Sequence, residues 1–458
     1  MRTITTSAIA MIAAAGLATP AFAQDSEAEA MRAELEAMRA QMQAMAARID
    51  SLEGQLVTAQ AKADAATETS TTALAAAEEA KSDTSVKWKG APQFEGNGFT
   101  FKPRGRMQYD VGYLGAPDSF TDSAAGFGSE LRRAYLGFEG TIPGGFGYRA
   151  EVNLASEEVE FTDLYITYAA SESVKLTLGH QKPFWGLEEL SSDLFTSFTE
   201  RAAINTAFGY ERKVGLSAAI SSGDVLAQGG IFTDSITDLN NDDGDNELAY
   251  SGRVVFMPKL GENQLHLGAN VNYRDANAVR SVNYRVRPSI HTPDVRFIAT
   301  GGMPVESELA YGLEAGYIAG PFHAAAETHW QKVGRPGLAD PTFFGGYAEV
   351  GYFITGGDSR GYKNGAFDRV KPTNGVDKGG LGALQVNVRY DYLDLNDAGV
   401  VGGKQDGYEL SLIWTPTDYT RFLINYGRME YTDAAIPGVD GDRSYGVDAF
   451  GARAQIDF

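Results

Sequence analysis

Two hydrophobic patterns divide the chain near residue 98. Before that point apolar residues recur at alternating intervals of four and three, as in Met31, Leu35, Met38, Met42, Met45, Ile49, Leu52 and Leu56. After it, apolar and polar residues alternate singly, as in Leu384, Val386, Val388, Tyr390 and Tyr392. The first pattern is typical of a helix with a coiled-coil seam, and the second is typical of β-strands with one apolar face.

The N-terminal pattern predicts a helix over residues 24–82, whose register continues through Ala59, Ala63 and Ala66. Because the seam alternates without drift, it favours self-association in a coiled coil. The alternative is a single amphipathic helix that lies against the rest of the protein. Residues 83–98 lose the pattern and are predicted to be a linker.

Sixteen strands are predicted from the single-residue alternation. They lie near residues 99–115, 130–141, 146–155, 160–170, 173–180, 210–220, 225–232, 249–257, 264–273, 308–319, 321–330, 344–355, 382–393, 407–415, 420–431 and 446–458. Their apolar faces are rich in Tyr, Phe and Trp, and their opposite faces carry charged residues. Such strands suit a wall with lipid on one side and water on the other.

The connections between these strands alternate in length. Tight turns, such as 143–145, 221–224 and 319–320, alternate with long polar stretches. Short turns at one rim and long loops at the other are the pattern of an outer-membrane barrel, and a soluble sandwich or propeller does not explain it. The predicted fold is therefore an all-β transmembrane barrel of about 16 antiparallel strands over residues 99–458.

Composition and the two ends of the chain agree with this fold. A net charge of −21 argues against nucleic-acid binding, and the absence of cysteine excludes disulfides and thiolate metal sites. Arg2, an apolar run and Ala21-Phe22-Ala23 predict a secretory signal peptide over residues 1–23; the alternative is a membrane anchor. Bacterial outer-membrane barrels commonly end on an aromatic residue that the barrel-assembly machinery recognises, and Phe458 is predicted to be that signal.

Several stretches resemble the phosphate-selective porin O/P family. They include LRRAYLGFEG at 131–140, GHQKPFWGLEELSSDLFTSFTER at 179–201 and GYFITGGDSRGYKNGAFDRVKP at 351–372. The resemblance implies a homotrimeric porin in the Gram-negative outer membrane, with inward-folded loops and, in some members, an arginine-lined phosphate path. The expected partners are outer-membrane lipid and lipopolysaccharide, the barrel-assembly machinery, and small anions or polar solutes as permeants. Gly356-Gly357 departs from the family pattern, and the N-terminal helix, expected in the periplasm, lies outside the resemblance.

A pore needs charges on its wall and a constriction. The strand parity places one set of basic residues in the lumen: Lys102, Arg104, Arg106, Arg133, Arg149, Lys175, Lys213, Arg253 and Arg274. It places an acidic wall opposite: Glu314, Glu327, Glu349, Asp391 and Glu409. These two arcs predict a transverse field and an anion pathway, because Arg matches phosphate and carboxylate oxygens. The alternative is that any porin lumen carries both signs.

The stretch 181–209 is too long for an ordinary loop, which makes it a candidate functional loop. The family resemblance implies that it folds into the lumen and narrows it. Phe184, Trp185 and Leu187 would wedge it against the wall and leave Arg201 near the constriction; a flexible external loop is the alternative. The stretch 274–307 is expected to fold inward similarly. By strand count, residues 356–381 form a periplasmic connection whose basic residues would guide anions at the exit.

Other chemistry finds little support in the sequence. His323, Glu327 and His329 share one strand face, but they do not form a convincing metal motif. Residues 238–247 resemble a calcium loop in which Leu239 occupies the first ligand position. An outer-membrane hydrolase and a trimeric adhesin are the alternative functions, and neither has a matching motif or layout. We therefore predict a channel with no catalytic residue, cofactor or metal.

Overall fold

The computed structural model describes residues 24–79, 84–115, 125–156, 158–239 and 246–458. The chain divides into two compact units, Met1–Ser82 and Asp83–Phe458. In the first unit Gln24–Glu79 forms one α-helix, α1. The exposed fractions of Met42 and Leu56 on its apolar seam are 60% and 68%. No helix in the described part of the chain is both long and apolar enough to cross a bilayer. The predicted signal peptide lies outside the described residues.

The second unit begins with a β-hairpin, Ser85–Trp88 and Pro92–Gly96, where the sequence predicted a linker. The hairpin continues the sheet, because Phe94 pairs with Phe101 of the first long strand. The linker prediction is therefore wrong for most of residues 83–98. The polar composition of residues 83–98 did not reveal that this short segment pairs with the start of the first long strand.

Sixteen antiparallel strands form the wall of a closed barrel. They are β1 Phe99–Gly115, β2 Gly126–Ile142, β3 Phe146–Asn153, β4 Glu160–Ala169, β5 Val174–Gln181, β6 Lys213–Ser222, β7 Val225–Phe232, β8 Leu248–Phe256, β9 Asn263–Val282, β10 Met303–Ala319, β11 Phe322–Gly334, β12 Thr342–Phe353, β13 Ala383–Asp397, β14 Val400–Thr417, β15 Thr420–Thr432 and β16 Tyr445–Asp457. Each pairs with the next, and β16 pairs with β1. The predicted sixteen-strand barrel is confirmed.

Smaller elements lie between these strands. The helices are Leu187–Leu190 (α2), Ala203–Phe208 (α3) and the short 3₁₀ turn Val376–Lys378, and the two-residue piece Lys259–Leu260 pairs with the start of β9. Two small hairpins are Arg285–Val286 with Ile298–Ala299, and Gly361–Lys363 with Ala366–Asp368. The helices and the two small hairpins lie in segments that fold into the barrel.

The last residue takes part in barrel closure. The Phe458 amide donates to the Gly105 carbonyl at 2.9 Å, and the Gly105 amide donates back at 3.2 Å. The Phe458 ring lies over Gly105, where an added Cβ would come within 2.2 Å of it. Glycine at 105 therefore makes room for the terminal aromatic ring.

Aromatic rings on the outer face form two belts. Trp330 packs on Tyr311 at 5.4 Å and on Phe344 at 5.2 Å between ring centroids, towards the rim of long loops. Phe101 and Phe138 make a similar contact at 5.8 Å towards the rim of short turns. Two such belts on either side of an apolar band are typical of a barrel that spans an outer membrane.

Several strands are longer than the sequence predicted. Arg280 of β9 pairs with Val305 of β10, although both lie in the predicted loop 274–307. At this rim the strands carry polar residues on both faces, so the alternation that marks a membrane-spanning strand disappears. The sequence therefore located the membrane-facing part of each strand better than its outer end.

Candidate functional site

The segment 182–212, between β5 and β6, folds into the barrel and packs against its wall. Trp185, Leu187 and Ile204 are fully buried. The Trp185 ring stacks on His329 of β11 with centroids 4.6 Å apart, and Phe184 packs on Phe232 of β7. The three apolar residues at the start of this segment, Phe184, Trp185 and Leu187, are thus buried against the lumen wall.

Wall carboxylates bind the backbone of this segment. Glu327 accepts hydrogen bonds from the Leu187 amide at 2.9 Å and the Glu188 amide at 2.7 Å, at the start of α2. Asp391 accepts one from the Ala203 amide at 2.8 Å, at the start of α3. Both carboxylates are almost fully buried. They therefore hold the inward segment in place.

Arg389 is the centre of this attachment. Its guanidinium pairs with Glu188 of the segment, with Glu349 of β12 at 2.7 Å and with Glu409 of β14 at 3.9 Å. It also lies 4.2 Å from the centroid of the Phe198 ring. With its side chain fully buried, this arginine links the segment to the wall and does not face water.

The tip of the segment reaches the far wall. Asp193 pairs with Arg106 of β1 and, at 2.7 Å, with Arg133 of β2. Burial opposes the ionisation of Asp193, but these two guanidiniums outweigh it and hold the pKa of that carboxyl well below its usual range. Glu200 binds Arg132 of β2 and Arg453 of β16, each at 3.1 Å. The segment therefore contacts the wall from β7, through β16, to β2.

Two further segments enter the lumen. From the rim of long loops, residues 283–302 bury Ile290 and Phe297, and Ser289 donates a hydrogen bond to Glu409. From the opposite rim, residues 354–382 approach the tip of the first segment, where the Phe367 amide donates to the Ser191 hydroxyl at 3.0 Å. The sequence predicted the first of these inward folds, whereas residues 356–381 were predicted to be a periplasmic connection.

One side of the lumen stays open. A cavity of about 1210 Å³ runs along β1–β5 and the facing edges of the inward segments. Its lining contains twelve Lys and Arg side chains and ten Asp and Glu side chains. Of the predicted basic residues, it includes Arg104, Arg106, Arg133, Arg149, Lys175 and Arg201. Of the predicted acidic wall, it includes Asp391 and Glu409.

The other predicted residues lie elsewhere. Arg253 is buried and binds Glu314 at 2.6 Å and the Gly365 carbonyl at 2.8 Å. Lys213 pairs with Glu247, Arg274 pairs with Glu308, and Lys102 lies on β1 outside the cavity lining. The acids Glu314, Glu327 and Glu349 are buried in contacts with arginines or with the inward segment. These residues were expected to face the water path, and the structure contradicts this. Strand parity identifies the inner face of the barrel, but it does not show whether an inward segment covers that face.

Along the open side, cations and anions alternate from strand to strand. Glu139 binds Arg104 and Arg149, each at 2.6 Å, and Asp163 binds Arg149 at 3.0 Å and Arg212 at 2.6 Å. About a fifth to a quarter of the Arg104 and Arg149 side chains remains exposed. Each carboxylate is shared by two guanidiniums, which leaves positive charge and unused N–H groups facing the water.

Strand parity missed Arg132, which also lines the cavity. Gln108 pairs with Arg133, but the next residue, Tyr109, pairs with Leu131, so Arg132 is the extra residue of a β-bulge. Adjacent residues of a regular strand point to opposite faces, so two consecutive arginines in a membrane-spanning strand indicate that the alternation is interrupted there. Lys182 was missed for a different reason, since it lies on an inward segment and not on a strand. Arg287 lies on the stretch 274–307, which was expected to fold inward.

The structure does not support a metal site at His323, Glu327 and His329. Glu327 is occupied by the inward segment, and His329 stacks on Trp185. Among the described residues, no three His, Cys, Asp or Glu side chains are placed to share a metal ion. The calcium-like stretch 238–247 lies largely outside the described residues.

A closed sixteen-strand barrel with aromatic belts and a water passage narrowed by inward segments defines an outer-membrane porin. The family model described as phosphate-selective porin O and P matches residues 101–458, and the chain belongs to that family.

The comparisons with individual proteins agree. The chain is 46% identical over 391 residues to an uncharacterised protein of Caulobacter vibrioides. The matched region covers 83% of this chain and 79% of that protein. The chain is 29% identical to Porin O of Pseudomonas aeruginosa over 72% of this chain and 82% of that one. The anion-selective porin from Comamonas acidovorans shares the fold, with a TM-score of 0.52 at 14% identity, covering 79% of this chain and all of that one (100%).

Proposed function

We propose that this porin is a water-filled channel for the passive diffusion of small hydrophilic solutes and ions, and that it prefers anions. The observation that carries the proposal is the lining of the open passage, where basic residues outnumber acidic ones although the whole chain carries a net charge of −21. Charges at the narrowest part select ions, because a Debye length of about 8 Å screens distant ones. The family description, phosphate-selective porin O and P, and the name of the anion-selective porin from Comamonas acidovorans accord with this direction.

The test is single-channel recording of the purified protein in a planar bilayer. We expect discrete current steps that scale with salt concentration, as an open aqueous pore gives. A protein that inserts and gives no steps, or that hydrolyses a lipid or peptide instead, would contradict the channel. Family and fold favour a channel over an enzyme.

The constriction belongs to the same proposal. The segment 182–212, anchored by Phe184, Trp185 and Leu187, narrows the path to the side where Arg201 lies. Arg201 donates to the Glu188 carbonyl at 3.1 Å and to the Ser191 carbonyl at 2.9 Å, which fixes its guanidinium at the edge of the segment. Permeating anions would therefore pass between Arg201 and the arginines of β1–β3.

A homotrimer with α1 in the periplasm is the proposed assembly. The exposed heptad seam of α1 supports it, since a row of Met, Ile and Leu on one helix face is stabilised by burial against other copies. Both ends of the barrel wall lie at the rim of short turns, which faces the periplasm in barrels of this kind. Deleting residues 25–82 should lower trimer stability, measured as the mass of the detergent-solubilised complex on heating. An unchanged mass profile would count against the coil.

The remaining proposed partners are outer-membrane lipid, lipopolysaccharide and the barrel-assembly machinery. The aromatic belts support the lipid contacts, and the terminal ring of Phe458 on the outer face supports recognition by the machinery. Replacing Phe458→Ala should reduce the amount of folded barrel in the membrane while the purified variant still refolds in detergent. Equal amounts of variant and native barrel in the membrane would argue against the signal.

A further inference from the structure

Three buried oxygen atoms that face the passage lack a hydrogen-bond donor among the described residues. They belong to Asp391, Asn205 and Gln405, all of which line the cavity. The other Asp391 oxygen accepts from the Ala203 amide, and the Asn205 amide nitrogen donates to Glu188 at 2.7 Å. The second contact fixes the Asn205 oxygen as the unused atom. Buried acceptors without donors are uncommon in native proteins and indicate an occupant.

These oxygens lie on elements that contact each other, because α3, which carries Asn205, binds Asp391 of β13 through the Ala203 amide; they are called the acceptor patch. Asp391 pairs with Gly407 across β13 and β14, and Leu393 pairs with Gln405, so Asp391 and Gln405 are diagonal neighbours on the lumen face. Gly407 lies between them without a side chain, and Glu409, the next inward residue of β14, adds a second carboxylate. The patch therefore offers acceptor oxygens on two amide groups and on the buried carboxyl group of Asp391, with the carboxyl group of Glu409 beside it.

An ammonium group matches this chemistry better than a metal ion. It carries three N–H donors and a positive charge, which suit two amide oxygens and a carboxylate. The described residues hold no set of three His, Cys, Asp or Glu side chains suited to one metal ion.

An unused donor lies on the same cavity. The Arg287 Nε, on the inward segment 283–302, has no acceptor among the described residues, and its Nη2 binds the 70% exposed Asp294 at 3.0 Å. Ser289, two residues further on, donates a hydrogen bond to Glu409. The same short stretch therefore carries a guanidinium with one unused N–H group, at Nε, and contacts the carboxylate beside the acceptor patch.

We propose that the passage contains a subsite for zwitterionic solutes of the amino-acid class. The ammonium group binds Asp391, Asn205 and Gln405, and the carboxylate binds Arg287. The inference rests on the proposed channel function and specifies one class of solute for it. A solute with only one charge satisfies half of the site, so the zwitterion binds more tightly than either single-charge analogue.

The test is block of single-channel KCl current by γ-aminobutyrate, with butyrate and butylammonium as analogues that carry one charge each. Glycine and 6-aminohexanoate bracket the spacing between the charges. We expect at least one of the zwitterions to block at about a tenfold lower concentration than either single-charge analogue, as the gain of a charge-assisted hydrogen bond implies. Equal blocking concentrations for zwitterions and analogues would overturn the subsite.

Two matched pairs of variants test the residues. Asp391→Asn keeps an oxygen for the Ala203 amide and offers its new amide group to Gln405; Asp394→Asn makes the same change on the same strand, at a residue that pairs with Lys404 outside the cavity lining. Arg287→Gln removes the guanidinium, whereas Arg296→Gln changes the other arginine that binds Asp294, outside the lining.

We expect Asp391→Asn and Arg287→Gln each to weaken block by the zwitterion about tenfold, and the two control variants to leave it unchanged. If Asp391→Asn behaves like Asp394→Asn, water or a proton occupies the patch and the proposal is wrong. A channel that conducts KCl without discriminating zwitterions would refute this subsite alone. A protein that conducts nothing would refute the proposed function.

Discussion

The two sides of the lumen use the same residue types for different purposes. On the covered side, Arg389 of β13 and Arg253 of β8 are fully buried and bound by carboxylates on other strands or on the inward segment. On the open side, β1–β5, Arg149 shares its carboxylates with other arginines and keeps 24% of its side chain exposed. Removing a buried partner leaves uncompensated charge, whereas removing an exposed one changes mainly the field in the water. Inward direction alone therefore does not make a residue part of the pore.

Strand length goes with this difference on the covered side. The strands β9–β16 have 12 to 20 residues, β3–β8 have 8 to 10, and β1 and β2 have 17 each. The long strands β12 and β13 place Phe343, Leu393 and Leu395 on the inner face near the rim of long loops, in one buried cluster with Trp185 and Phe297 of the inward segments. A hydrophobic core thus forms on this side of the barrel, and the water passage runs along β1–β5.

The largest expected effect comes from removing the part of the segment that crosses the lumen. Residues 189–201 can be replaced by a short Gly/Ser linker, because the Ala202 amide lies only 2.9 Å from the Glu188 carboxylate. We expect single-channel conductance to rise about two- to threefold, since current follows the narrowest cross-section. Shortening the exposed outer loop 335–341 is the control. Unchanged conductance in both variants would place the crossing outside the current path.

The second prediction compares one arginine from each side. Arg389→Met leaves Glu188 and Glu349 without their shared cation and should cost about 3–5 kcal/mol in the free energy of unfolding. Arg149→Met removes an exposed partner and should cost less than about 1 kcal/mol. Denaturant unfolding followed by tryptophan fluorescence measures both. Similar losses in the free energy of unfolding for the two variants would show that arginines on the covered and open sides contribute equally to stability.

A third, smaller effect concerns ion selectivity. Arg149→Gln should move the reversal potential in a KCl gradient towards cations, because it removes a partly exposed positive charge from the open passage. Arg133→Gln should move it less, since that guanidinium is held by Asp193 and is mostly buried. Bilayer recordings of the two variants at one salt gradient provide the comparison. A larger shift of the reversal potential for Arg133→Gln would show that Arg133, and not Arg149, contributes more positive charge to the passage.

The smallest effect is a dependence on pH. Burial and the nearby Arg201 guanidinium lower the pKa of Lys182 from its ordinary 10.5 to about 8. The ammonium is charged below that pH and neutral above it, so the passage loses one positive charge between pH 7 and pH 9. We expect anion preference to fall across this window and the fall to be smaller in Lys182→Met. The same fall in both proteins would assign it to another group.

The sequence predicted the barrel because every membrane-spanning strand must alternate apolar and polar residues in the same way. It also predicted the anchor at Trp185, since apolar residues inside a long polar stretch need a place to be buried. It could not distinguish Arg149 from Arg253, because both face inward and only the path of the inward segments decides which one meets water. Arg132 escaped because a bulge shifts the parity by one residue.

The most direct test of this account uses the absence of cysteine from the chain. Thr177→Cys places one thiol on β5 in the open passage, and Ser411→Cys places one on β14, where Ser411 is 1% exposed and donates to the Ser197 carbonyl at 2.6 Å. A water-soluble, negatively charged methanethiosulfonate is added during single-channel recording. We predict that it lowers the current and shifts the reversal potential towards cations in Thr177→Cys, and that Ser411→Cys does not respond. Rapid modification at Ser411→Cys, with no response at Thr177→Cys, would place the water path on the opposite side and contradict the account.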